Sequence, residues 1–348
     1  MSLINFKHRL GGRGKRMAQA AGLLLGSLLF VLSSAHSAAA TDPLPSWSEG
    51  AIKSTLTEFV QAVTEPGGKD FVAPSNRVAT FDNDGTLWLE YPIYTQLRFA
   101  FTRVHELAPQ HPEWKTTMPF KAVLDNDMEA LGATGMKGLM EIMMATHSGM
   151  TAPEFEQEAA AWLATAKNDR FKHTYPELVY QPQLELLEYL RANGFKTYIV
   201  SGGGIQFMRP MTEKAYGIPP NQVVGSSVVS EFQMKDGKPA LVRMPKINFI
   251  DDKAGKPVGI YQHIGQRPIL AFGNSDGDIE MLQYTKAGEG RSLGLLLHHT
   301  DAVREYAYDR NSHVGKLDKG LDEAAASGWI LVNMKTDWKV IFPFELED

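Results

Sequence analysis

The stretch Val78-Ala-Thr-Phe-Asp-Asn-Asp-Gly-Thr-Leu-Trp88 decides the reading of this chain. Four apolar-leaning residues end at Asp82, and then come Asn83, Asp84, Gly85 and Thr86. The first part has the length and composition of a buried strand, and the second has turn chemistry. Side chains at i and i+2 on extended backbone share a face, so Asp82 and Asp84 point into one pocket. A calcium loop does not fit. With Gly85 at loop position six, positions one and twelve fall on Thr80 and Tyr91, which cannot supply the carboxylates required there. A D-x-D site for a nucleotide sugar would use the two aspartates but leaves Gly85-Thr86 unexplained.

Two later segments have the same form. "KTYIV" runs into Ser201-Gly-Gly-Gly204, and "PILAF" runs into Gly273-Asn-Ser-Asp-Gly-Asp278. The second fails the calcium test too, with Phe272 and Gln283 at positions one and twelve. A fourth strand is expected at "LGLLLHH". Amphipathic helices are expected over 47–64, 182–193, the segment after Gly204, and "KPVGIYQHIG". Strand–helix alternation of this kind predicts a Rossmann-like, three-layer α/β core around a parallel sheet. Ligands bind beyond the carboxyl ends of such strands, so three loops distant in sequence converge on one site. "SSVVSEFQMKDGKPALVRM" reads as a hairpin turning at Asp236-Gly237.

From Tyr94 to about Ala166 helical patterns dominate. Thr151, Pro153 and Glu154 give a helix start in "TAPEFEQEAAAWLATAK". This is expected to be an inserted α-helical cap over 89–185, with the core formed by 41–88 and 186–348.

The first forty residues stand apart. Lys7, Arg9, Arg13, Lys15 and Arg16 precede an apolar run and then Ala38-Ala39-Ala40. That order is a secretory signal, with cleavage after Ala40 and a periplasmic destination in a Gram-negative cell; an uncleaved anchor is the alternative. The chain has 35 basic and 40 acidic residues, and five of the basic ones lie in this leader, so the remainder is acidic on balance. That argues against a nucleic-acid partner. No further membrane span is expected. With no cysteine, the fold must hold by its core alone.

The ordered motifs "FDNDGT", "YIVSGGG", a lysine and "FGNSDGD" resemble those of the haloacid dehalogenase superfamily, closest to its phosphoserine-phosphatase-like branch with a helical cap. The resemblance covers residues 77–87 and 190–285. It implies a Mg²⁺-dependent phosphomonoester hydrolase acting on a small phosphorylated metabolite. Asp82 would be the nucleophile, forming an aspartyl-phosphate, and Asp84 the general acid/base. Thr86, Ser201 and Gly202 would shape the turn and hold the phosphate. Asp82, the Asp84 carbonyl, Asn274 and Asp278 would surround the metal. Lys256 would neutralise charge, with Lys253 as the alternative. Asn274 stands where the family usually has Asp, so an inactive phosphate-ester binding protein is the rival expectation.

Substrate recognition is less determined. Trp88, Tyr91, Tyr94 and Phe99 are expected to pack cap against core, or else to form a cage for a quaternary ammonium group. Glu90 would face a substrate amine. His298, His299 and Asp301 form either a metal cluster or a helix start capped by Thr300 or Asp301. The second Asp-Asn-Asp, at 125–127, reads as a solvated helix face.

Overall fold

The computed structural model describes residues 42–346; the expected signal segment lies outside the described residues. Twelve α-helices and eight strands occur among the described residues, in chain order: α1 (Ala51–Thr64), β1 (Val78–Phe81), α2 (Thr95–Leu107), α3 (Phe120–Leu124), α4 (Met128–Ala133), α5 (Gly135–His147), α6 (Ala152–Thr165), α7 (Gln181–Ala192), β2 (Lys196–Gly204), α8 (Ile205–Tyr216), β3 (Val223–Lys235), β4 (Lys238–Phe249), α9 (Gly255–Gly259), β5 (Leu270–Gly273), α10 (Ile279–Lys286), β6 (Leu293–Thr300), β7 (Ala307–Tyr308), α11 (Lys319–Ser327), β8 (Ile330–Asn333) and α12 (Met334–Asp337).

The sheet runs β4-β3-β2-β1-β5-β6-β7, with β8 also paired to β6. Pairings among β3, β2, β1, β5, β6 and β8 are parallel, while β4 on β3 and β7 on β6 are antiparallel. β1 is central and buried throughout, as a strand covered on both faces must be. Its Phe81 is level with Ile199 of β2 and with Phe272 of β5, so Asp82, Ser201 and Asn274 leave neighbouring strands at almost one height.

β3 departs from expectation. Its first residues, Val223 to Ser226, are a further parallel strand beside β2, and only then does it enter the hairpin with β4. The hairpin signal at Asp236-Gly237 is local and legible. The parallel pairing depends on a partner on the far side of α8 and is not.

Between β1 and β2 lies the helical insertion. Ala100, Val104, Trp114, Phe120, Val123 and Ile142 give it an apolar core of its own, with Trp114 stacked on Phe120 at 4.2 Å. α6 begins at the expected helix start, where Thr151 and Glu154 form a capping box, but its Phe155, Ala159 and Leu163 join the main core. The expected boundary at 185/186 falls inside α7, whose Leu186, Leu187 and Leu190 all belong to the main core. An amphipathic helix cannot be divided between two cores when its whole apolar stripe faces one of them.

The Asp125–Asp127 segment is a correction. It is the turn between α3 and α4, not a helix face: Asn126 is left-handed (φ 55°) and Asp127 caps α4 by accepting from the Ala130 amide. Among the described residues no helix is long and apolar enough to cross a membrane.

Candidate active site

The Asp82 amide donates to the Phe272 carbonyl (2.9 Å), locking the first loop onto β5. Beyond it Gly85 takes a left-handed conformation (φ 70°), where a side chain would also overlap Asn274 and Glu90. The turn is therefore tight. Thr86, Leu87 and Trp88 all aim their amides at the Asn83 carbonyl.

Asp82 is buried and its Oδ1 accepts from Lys256 Nζ at 2.7 Å. Lys256 also donates to Asp278 Oδ1 (2.5 Å) and to the Val200 carbonyl (3.0 Å). Among the described residues no donor reaches Asp82 Oδ2. Asp84 Oδ1 accepts from the Trp88 indole (3.0 Å). A Cβ on Gly203 would stand 3.2 Å from Asp84 Oδ2 and 3.3 Å from Ser201 Oγ, so the second loop runs directly beside both side chains. Ser201 is buried and its Oγ accepts from the Gly203 amide (3.1 Å).

The electrostatics follow from this burial. Desolvation pushes the Asp82 carboxyl up, against the pull of Lys256. Desolvation alone would depress the Lys256 ammonium, but Asp278 and Asp82 outweigh it and hold the proton on. Burial raises Asp84 to about 6, opposed by the Trp88 hydrogen bond and by Lys256.

Of the two candidate lysines, Lys256 is the one inside. Lys253 is three residues earlier, exposed and left-handed (φ 52°). Two expected roles need correction. Thr86 is fully buried and its hydroxyl donates to Asn274 Oδ1 (3.0 Å), so it shapes the turn and does not face a phosphate. Asp278 has both oxygens in use: Oδ1 takes Lys256, and Oδ2 takes the Asn274 amide (2.9 Å) and the Ser275 amide (3.0 Å). It braces the loop and is not an open metal ligand.

Among the described residues no group of three or more His, Asp or Glu side chains is arranged to close around a metal ion. The donors implied for Mg²⁺ are of another kind: Asp82 Oδ2, the Asp84 carbonyl and Asn274 Oδ1. The first two receive no hydrogen bond among the described residues, and the third has one lone pair left beside Thr86. Around them Asp82, Asp84, Glu90 and Asp278 are four carboxyl groups with one ammonium, Lys256. A hard oxygen donor set beside several carboxyl groups and a single ammonium fits Mg²⁺.

Several contacts come from parts of the chain with no readable motif. His299 Nε2 meets the Gly85 carbonyl at 2.8 Å and its Nδ1 meets Glu305 at 3.2 Å, tying β6 to the first loop. His298, adjacent on the strand, points the other way toward Asp309, so the two form no metal cluster. Asp301 accepts from the amides of Val303 and Arg304, but in a turn with no helix behind it. "HHTDAVREY" was the only signal here, and the Gly85 partner of its His299 lies 214 residues upstream. The aromatic residues form no cage. Phe99 is buried against Phe155 and Phe207, Trp88 serves Asp84, and Tyr91 stacks on Tyr308 at 4.8 Å. The groove lined by Leu163, His173, Met211 and Phe344 contains none of the motif residues.

The haloacid dehalogenase-like hydrolase profile matches residues 79–283, and the chain belongs to that family. The fold is similar to that of a conserved functionally unknown protein from Anaerococcus prevotii DSM 20548, at 15% identity over 72% of this chain and 86% of that one, with a TM-score of 0.51. A protein of unknown function from Bordetella pertussis Tohama I matches at 16% identity over 74% and 98% of the two chains (TM-score 0.45). A probable phosphoserine phosphatase from Vibrio cholerae matches at 14% over 69% and 62% (TM-score 0.36). No curated protein sequence matches the chain.

Proposed function

We propose that this hydrolase cleaves phosphomonoesters of small metabolites through an aspartyl-phosphate on Asp82. The observation that carries the reading is the asymmetry of Asp82: one oxygen is held by Lys256, and the other is unbonded and shares the pocket with Asp84. In the first step Asp82 Oδ2 attacks phosphorus and the ester oxygen leaves, taking the proton of Asp84. In the second, water attacks the phosphorus, Asp84 recovers a proton from it, and the Asp82–phosphate bond breaks to release inorganic phosphate. Lys256 offsets charge on the nucleophile and the transferring group. The Ser201 hydroxyl and the Gly202 amide would hold phosphate oxygens. Asp82, the Asp84 carbonyl and Asn274 would hold Mg²⁺, which when bound neutralises negative charge on the phosphate. Residues 89–185 would act as the cap that excludes water.

Turnover of p-nitrophenyl phosphate with Mg²⁺ tests this, together with acid-stable trapping of ³²P on the protein. Folded protein without turnover in any metal or pH condition would refute the enzyme and leave a phosphate-ester binding protein. Asp84 must be protonated to serve the leaving group, and burial raises it to about 6. The rate of the first step should therefore fall as pH rises above that value, and this dependence should vanish in Asp84→Asn. Export is proposed from the basic, apolar and small-residue order of residues 7–40. N-terminal sequencing of the secreted protein, expected to begin at Thr41, tests it.

A further inference from the structure

Asn274 is the one departure in the motif set, and it is fully enclosed. Its Nδ2 donates to Glu90 Oε1 (2.7 Å), and its Oδ1 accepts from the Thr86 hydroxyl (3.0 Å). In its ionised form Glu90 only accepts, and in that form its contact fixes which way round the amide stands. Glu90 itself is 2% exposed and has no ion-pair partner among the described residues. Its other hydrogen bond, from the Tyr308 hydroxyl (2.9 Å), falls on the same Oε1. The cradle is built to its shape. Gly85 and Gly315 are both left-handed (φ 70° and 57°), and a side chain on either would overlap the Glu90 carboxyl. A carboxyl enclosed without a cation is costly, and such a group persists where something compensates for it.

We propose that Glu90 and Asn274 divide between them the work of the carboxylate missing from the fourth motif. Asn274 presents the oxygen donor. Glu90 is the positioning residue that orients the amide and supplies the negative charge the amide lacks, directed at a divalent cation. This rests on the metal-dependent reading above. It assigns the residue following Leu89 to the metal site and not to a substrate amine.

The test transposes the charge. Glu90→Gln, Asn274→Asp and the double variant are compared by Mg²⁺ titration calorimetry and by the rise in Tm with Mg²⁺, both without substrate. Glu90→Gln should weaken Mg²⁺ about tenfold or more, as loss of a partner behind a metal ligand does. Asn274→Asp alone sets two carboxylates in contact and should lower the Tm of the metal-free protein. In the double variant the amide and the carboxylate exchange places, so the hydrogen bond between the two positions returns with its direction reversed. That variant should recover the Tm and bind Mg²⁺ within about threefold of wild type. Tyr308→Phe removes the neighbouring hydrogen bond but no charge, and should leave Mg²⁺ affinity within about twofold.

Unchanged Mg²⁺ affinity in folded Glu90→Gln overturns the proposal, as does a double variant that binds no better than Glu90→Gln. If Glu90→Gln does not fold, the double variant decides: failure to fold, or to bind, also overturns it. Equal losses in Tyr308→Phe and Glu90→Gln would make Glu90 a structural brace only. A wild type that binds no Mg²⁺ sinks this inference and the metal reading together. Intact Mg²⁺ binding without hydrolysis sinks the enzymatic reading alone.

Discussion

The tripeptide Asp-Asn-Asp occurs twice, at 82–84 and at 125–127, and the two copies have almost nothing physical in common. Each first aspartate has a lysine partner. Asp82 meets Lys256, and both are buried at the ends of three strands. Asp125 meets Lys121 one helical turn earlier, and both are exposed. The middle asparagine is buried in the first copy, with no hydrogen bond to its side-chain amide among the described residues, and left-handed on the surface in the second. The last aspartate faces the Ser201–Gly203 loop in one copy and caps a helix in the other. Chemistry thus belongs to where the tripeptide is held, and the holding is done by residues outside it.

Substitutions at matched positions test that contrast. Asp82→Asn should cost on the order of 10⁴-fold or more in phosphate-ester turnover, while Asp125→Asn should change the rate less than about twofold. Comparable losses in both would dissolve the distinction. Next comes Lys256→Met, which strands two buried carboxylates and should lower stability by about 3–5 kcal/mol in denaturant unfolding. Lys121→Met removes a solvated pair and should cost under about 0.5 kcal/mol.

Burial should also be visible as pH dependence. Asp251 is fully buried, among the described residues neither of its oxygens receives a hydrogen bond of good geometry, and its carboxyl is raised by desolvation to about 7, against the pull of Lys256 and of the Ser201 amide. Its folded pKa lies above the unfolded one, so the folded state holds the extra proton between the two values. Stability should fall as pH rises from about 4 to 7 and then level off. Asp251→Asn should therefore be more stable than wild type by roughly 1–3 kcal/mol at pH 8 and nearly equal to it near pH 4. A stability difference independent of pH would show that Asp251 is not the titrating group. Asp127→Ala removes a helix cap worth about 1 kcal/mol and should leave turnover intact.

Much of the fold was legible because its signals are short-range. The buried strands at 78–81 and 270–273, the helix start at Thr151 and the hairpin turn at 236–237 each depend on residues close in sequence. The same locality misled at Asp125–Asp127, where a solvated helix face was expected and a turn between two helices is found. It misled again at α7, whose apolar stripe gave no hint of which core it would face.

By itself the sequence determined that Asp82 and Asp84 leave a buried strand together, since period-two geometry and turn chemistry need no distant partner. It placed Ser201 and Asn274 at comparable strand ends for the same reason. Only the tertiary structure decided between Lys253 and Lys256. A separation of three residues puts one on the surface and the other beside Asp82. It also turned Asp278 into a brace, set His299 against the Gly85 carbonyl, and enclosed Glu90 between Asn274 and Tyr308. Those partners lie 22 to 218 residues apart. Hydrogen bonds across such distances leave no periodicity in the chain, because register and packing bring their atoms together, not local conformation.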